Sequence, residues 1–261
     1  GFRQLRQHWR KVLFIAVLSG LEKNLTNSSL YHIGASMKTA LHGFNVVLTF
    51  FAAAFLGVDA PSRWCITGCN CRGNVLLALS ITLVLAGGVV TASCSDDQNW
   101  DVSWPGLLLQ LASSTAYALK FTVMKMLLGN PVALRSIYDD SSLQPPNKFQ
   151  IAFVANPVTG LVGLCFLPAF DKGWALPEDF LPVAAAVAVS VTGILILQLR
   201  LTELTTPLTV AVLGVVKDVV AVLYMTHLSG HEDERFSSWQ AAGYAVSMFG
   251  VVLYACARRR Q

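Results

Sequence analysis

Long apolar runs separated by short polar connections dominate the chain. A bilayer core of about 30 Å is crossed by roughly 20 mostly apolar helical residues. About eight stretches reach that length. They lie at 11–30, 36–58, 74–93, 104–128, 149–170, 181–201, 205–228 and 238–257. The first is the most polar, with Glu22, Lys23, Asn24 and Asn27 in its second half. The connections carry Gly57, Pro61, Gly73, Pro131, Pro145, Pro146 and Gly230, residues that punctuate helices. The longest connection, 129–148, is expected to be mobile. The fold class expected is all-α, a polytopic transmembrane helix bundle forming one membrane domain over 1–261.

Polar residues inside the apolar stretches fall on helical stripes. Lys38, His42, Asn45 and Thr49 are spaced i, i+4, i+7, i+11 and share one face of the second stretch. Gln110, Ser113, Tyr117 and Lys120 do the same on the fourth, and Gly214, Lys217 and Tyr224 on the seventh. Within the spans or at their edges stand four cations, Lys23, Lys38, Lys120 and Lys217, and two acids, Glu22 and Asp218. Charge in a membrane is costly unless it lines water or meets a partner. The surplus of cations suits an anion. Each residue taken singly also has a structural explanation. Lys38 can snorkel from its span end. His42 and Asn45 can be interhelical hydrogen bonds. Lys217 can neutralise a buried acid such as Glu22.

Composition agrees with lipid as the solvent. Hydrophobic residues make up 54% of the 261 and charged residues 13%, about half the usual share for a soluble domain. The net charge of +4 matters less than its distribution. If the end carrying Arg258, Arg259 and Arg260 is cytoplasmic, 13 of the 19 Lys and Arg residues fall on that side and only Lys172 and Arg235 on the other. This is the asymmetry of the positive-inside rule, and it puts both chain ends in the cytoplasm. Arg3, Arg6 and Arg10 read as an interfacial anchor. Of six cysteines, Cys65, Cys69 and Cys71 cluster without a fourth zinc ligand, and so read as free cytoplasmic thiols open to acylation. Asn24-Leu25-Thr26 and Asn27-Ser28-Ser29 match the glycosylation pattern but sit too close to the membrane for it. No phosphate-cradling glycine loop, nucleophile elbow or nucleic-acid module is present. The expectation is therefore no enzyme, no cofactor, no metal and no nucleic acid partner.

The last third resembles a known family. Leu204-Thr205-Thr206-Pro207-Leu208-Thr209, Gly214-Val215-Val216-Lys217-Asp218, Gly243 and Gly250-Val251-Val252-Leu253-Tyr254 are similar to the closing repeat of the triose-phosphate and nucleotide-sugar transporters, within the drug/metabolite transporter superfamily. Asn27-Ser28-Ser29-Leu30 and Leu119-Lys120-Phe121-Thr122 resemble further family segments. Gly88-Val89-Val90 and Gly250-Val251-Val252 form a faint internal echo, as two-part transporters show. The resemblance implies a ten-helix, two-repeat fold, of which this chain would hold about eight spans. Segment 1–93 would be the remainder of the first repeat and 104–257 the second. The opening Gly1, in place of Met, then reads as the start of a fragment lacking two helices.

The resemblance further implies exchange of a phosphorylated organic anion, such as a nucleotide sugar or sugar phosphate. Lys217 and Lys120 would hold phosphate oxygens, with His42 or Lys38 as a third cation. Tyr117 and Asn45 would orient the remainder of the solute. Two departures bear on the substrate. Plastid phosphate exchangers of the family carry Lys-Arg where this chain has Lys217-Asp218, which disfavours a bare triose phosphate and places it nearer the Lys-Asp and Lys-Glu subgroup with Golgi members tied to fucose metabolism. His42 stands where the family has Lys or Arg, and carries only part of a charge near neutral pH. The location implied is the Golgi or endoplasmic reticulum, ahead of a plastid envelope, with lipid as the surrounding partner and room for a homodimer. A membrane protein that assists glycosylation or trafficking without transporting is the alternative.

Overall fold

The computed structural model describes residues 2–33, 35–58, 71–93, 103–128, 147–170, 180–228 and 238–259. The 129–146 connection, Cys65 and Cys69 lie outside these residues, and so do the side chains of Cys71, His42 and Asp218. Among the described residues all regular structure is helical. The helices are α1 (Phe2–Leu30), α2 (Ala35–Phe55), α3 (Cys71–Ser93), α4 (Trp104–Leu128), α5 (Lys148–Phe170), α6 (Phe180–Leu204), α7 (Pro207–Leu228) and α8 (Ser238–Arg259). Among the described residues three stretches are long and apolar enough to cross a membrane: Trp104–Leu128, Lys148–Phe166 and Leu181–Leu204. Shorter apolar helical stretches occupy Gly43–Phe55, Ala78–Thr91, Pro207–Lys217 and Ala241–Cys256.

Helix ends follow local chemistry. α2 stops at Gly57, whose φ of 65° takes the backbone into the left-handed region. The Val58 amide then reaches Ala53 O at 3.0 Å and the Gly57 amide reaches Ala54 O at 3.2 Å, the crossed pair that closes a helix C-terminus. α1 starts earlier than its apolar stretch. Its 29 residues run about 43 Å, longer than the hydrocarbon core, and no breaker interrupts the basic leader. Arg10 lies over the Trp9 ring at 5.7 Å.

Two apolar cores organise the packing. One joins α1, α4, α5 and α6 through Val12, Ile15, Phe121, Met124, Ile151 and Leu199. The other joins α2, α3, α7 and α8 through Val46, Val84, Leu208, Ala211, Val212 and Tyr254. Tyr117 of α4 packs against both. α2 closes the seam by contacting α4 as well as α3 and α7.

α3 and α8 run antiparallel with their backbones in close approach. A Cβ on Gly243 would sit 2.7 Å from the Thr91 amide and 2.8 Å from Gly87 O. One on Gly250 would sit 2.9 Å from Ser80 O. Small residues that let membrane helices touch in this way are a familiar packing device. α4 is central, with half of its most apolar window buried, against 6% for α6. On α6, Leu181, Val183, Val187, Val189, Ile194 and Leu197 are all exposed. An apolar face of that extent does not suit water.

Candidate functional site

α1 and α4 meet through two polar stripes. On α4, Gln110, Ser113, Tyr117 and Lys120 recur at helical spacing. On α1, Glu22, Thr26 and Ser29 are spaced i, i+4, i+7. The helices run antiparallel, so the stripes close rung by rung. Ser29 Oγ lies 2.8 Å from Gln110 Oε1 and 2.7 Å from Thr26 O, two acceptors for one hydrogen. Ser113 Oγ donates to Glu22 O at 2.9 Å. With its own hydrogen so used, Ser113 accepts from Thr26 Oγ1 at 2.5 Å. At the bottom rung Lys120 Nζ donates to Glu22 Oε2 and the two form an ion pair.

Lys120 is only 2% exposed, although it carries a full charge. It rests 4.6 Å from the centre of the Phe121 ring and 5.4 Å from that of Tyr117. Aromatic faces attract a cation but do not neutralise it. Glu22 supplies the neutralising charge, although its side chain keeps 18% of its exposure. Tyr117 extends from this pair to the neighbouring helix. A Cβ on Gly214 would lie 3.2 Å from the Tyr117 hydroxyl, so Gly214 makes room for it.

The sequence-derived residues divide in this setting. Lys120, Tyr117 and the Gly214 turn of α7 come together at the seam. Lys217 stands one turn beyond Gly214 and is exposed, as is Tyr224. Lys38 is half-buried on α2. Asn45 is buried on the same helix, and among the described residues its Oδ1 has no hydrogen-bond partner; nor has Thr49 Oγ1, one turn on. Buried polar atoms in that condition call for explanation, and a polar solute is one group that would engage them. For His42 only the backbone on α2 is described. Pairing Glu22 with Lys120 removes one charge of each sign, so the surplus of Lys23, Lys38 and Lys217 over Asp218 is unchanged. Among the described residues no three His, Cys, Asp or Glu side chains gather to hold a metal ion.

No protein-family model matches the chain, and no curated protein matches it. The chemistry of the site therefore rests on its own geometry.

Sequence reasoning singled out Glu22 as an intramembrane acid but gave Thr26 and Ser29 too little weight. Thr26 was visible only as part of a glycosylation triplet, and Ser29 as part of another and of a family-like segment. Reading α1 for a polar stripe, as was done for α4, would have found them. It also treated Lys125 and Lys148 as mere cytoplasmic charges. Lys125 Nζ instead reaches three carbonyls where α6 gives way to α7: Thr202 O at 3.1 Å, Glu203 O at 3.1 Å and Thr205 O at 2.6 Å. A cation at a helix C-terminus satisfies carbonyls that have no partner within the helix. Glu203 is bound by Lys148 at 2.7 Å and by Arg200 at 2.9 Å. It stands in the last turn of α6, at the end of the Leu181–Leu204 stretch.

Proposed function

We propose that this chain is a membrane transporter that exchanges a phosphorylated organic anion, such as a nucleotide sugar or sugar phosphate, across a Golgi or endoplasmic reticulum membrane. The observation that carries the reading is the burial of Lys120 in α4, a helix long and apolar enough to span a bilayer. Ionisable groups at membrane depth mark solute pathways by default, because their desolvation is otherwise a standing cost. Lys217 adds to this. It stands ten residues after Pro207, hence about 15 Å along α7. An exposed lysine at that depth suits a water-filled cavity far better than lipid. Lys217 and Lys120 hold phosphate oxygens, Lys38 or His42 adds a third cation, and Tyr117 and Asn45 orient the rest of the solute. The likeness of residues 204–254 to the closing repeat of the nucleotide-sugar transporters supports the same substrate class.

Eight spans with both ends cytoplasmic are part of this proposal, and the packing supports them. α1 is antiparallel to α4, and α3 to α8. α1 is parallel to α5: Thr159 Oγ1 donates to Ala16 O, and Gly163 lies beside Asn24. The end of α4 reaches the α6–α7 junction through Lys125, and the start of α5 reaches it through Lys148. Each contact joins ends that alternation assigns to one side. Trp104 and Trp239 begin α4 and α8, and both are exposed, as interfacial aromatic anchors are.

Counterflow into proteoliposomes tests the function. Vesicles preloaded with unlabelled solute accumulate the radiolabelled form above the protein-free level. The panel is a nucleotide sugar, a nucleoside monophosphate, a sugar phosphate and inorganic phosphate. No accumulation with any of them, from folded protein, favours the assisting role instead.

A further inference from the structure

Resting on that transport reading, we propose that Glu22 is a built-in counter-ion that lets the unloaded transporter change sides, so that the protein performs net transport as well as exchange. A carrier that grips an anion with a buried cation meets a difficulty on its return. Once the solute has left, the cation must pass through the closed interior without a partner. Isolated charge in that setting is strongly disfavoured. Such a carrier returns only when reloaded, and is held to one-for-one exchange.

Here the partner is part of the chain. Among the described residues Lys120 is the one charged side chain that is buried; Lys23 and Lys217 are exposed and Lys38 is half-buried. The desolvation of an empty site therefore falls chiefly on Lys120, and the Glu22 carboxylate sits on that ammonium. It occupies the place that a phosphate oxygen takes on binding. Both are anionic oxygens accepting a charge-assisted hydrogen bond, so one can replace the other. Glu22 is also placed to let go. Its side chain is partly exposed, and Lys23, the next residue, lies close enough to interact with the charges of both Glu22 and Lys120. Ser113 holds the Glu22 main chain through its carbonyl, so the carboxylate can turn while the helix stays fixed. The loaded and unloaded sites then carry the same charge balance at Lys120.

The test compares two readings from one preparation of proteoliposomes: uptake into vesicles without internal solute, and counterflow into preloaded vesicles, with the same solute panel. Wild-type protein is expected to show both. In Glu22→Gln the ratio of net uptake to counterflow falls about tenfold or more, because the cation now crosses unpaired. Glu22→Asp, which keeps the carboxylate, holds the ratio within about threefold of wild type. Taking a ratio cancels differences in the folded fraction. An unchanged ratio in Glu22→Gln overturns the proposal. Wild-type protein with counterflow but no net uptake overturns it without any variant, should Glu22→Gln fail to fold. Wild-type protein with neither activity removes the transport reading itself, and this proposal with it.

Discussion

The α3–α8 and α1–α4 contacts solve the same problem in opposite ways. Both hold two antiparallel helices together. α3 and α8 do so by leaving side chains out: Gly87, Gly243 and Gly250 bring backbone against backbone. α1 and α4 do so by placing polar side chains face to face: Ser29 with Gln110, Thr26 with Ser113, Glu22 with Lys120. The first kind of contact has one good arrangement, since close-packed backbone has no alternative partners. The second can exchange its partners, because hydroxyls, amides and carboxylates accept substitutes. An interface without spare partners suits a fixed unit, and one with exchangeable partners suits a place where a solute binds.

Substitutions can break that comparison. The largest effect is expected at Gly243→Val. The added Cβ meets backbone atoms of Thr91 and Gly87 that cannot move aside, and the second branch of the side chain adds to the conflict. A loss of about 3 kcal/mol or more follows, read as collapse of the melting transition in detergent. A Gly243→Val protein that melts like wild type would show that α3 and α8 are not in close contact.

Removing one member of the α1–α4 ion pair comes next. Lys120→Met strands Glu22, at a cost of about 3 kcal/mol, the lower end for buried pairs because Glu22 is partly exposed. Glu22→Met with Lys120→Met removes both charges and regains most of that loss. A double-mutant cycle on melting reads the coupling. Additive losses would mean that the two side chains do not interact.

The smallest effect is expected at Glu203, which binds Lys148 and Arg200 where α6 gives way to α7. These side chains are partly open to solvent, so Glu203→Gln should cost a few tenths of a kcal/mol, read as a slightly lower melting temperature. A loss as large as that of Lys120→Met would contradict this ranking.

Much of this was legible in the chain. Apolar length placed the eight helical stretches to within a few residues, apart from α1, whose polar leader carries no hydropathy signal. Helical spacing put Gln110, Ser113, Tyr117 and Lys120 on one face of α4. It could not say what that face meets. Glu22 and Lys120 are separated by 98 residues, and pairing across such a gap depends on tertiary packing alone. The structural alternative for Lys217, that it neutralises a buried acid such as Glu22, meets Lys120 as the ion-pair partner of Glu22. The role of Lys125 was hidden for another reason: its partners are main-chain carbonyls, which carry no sequence signature. Gly243 and Gly250 were noticed as motif residues, and the close approach of α3 now supplies a packing reason for both.

The central claim, that cations at this seam hold a phosphorylated solute, is tested most directly at Lys217. Its side chain is exposed on α7, so Lys217→Ala should leave the fold intact, which melting temperature checks. The measurement is counterflow of the solute that wild-type protein exchanges best. The account predicts that Lys217→Ala abolishes it, while Lys217→Arg, which keeps the charge with altered geometry, retains part. Wild-type counterflow in folded Lys217→Ala protein would contradict the claim.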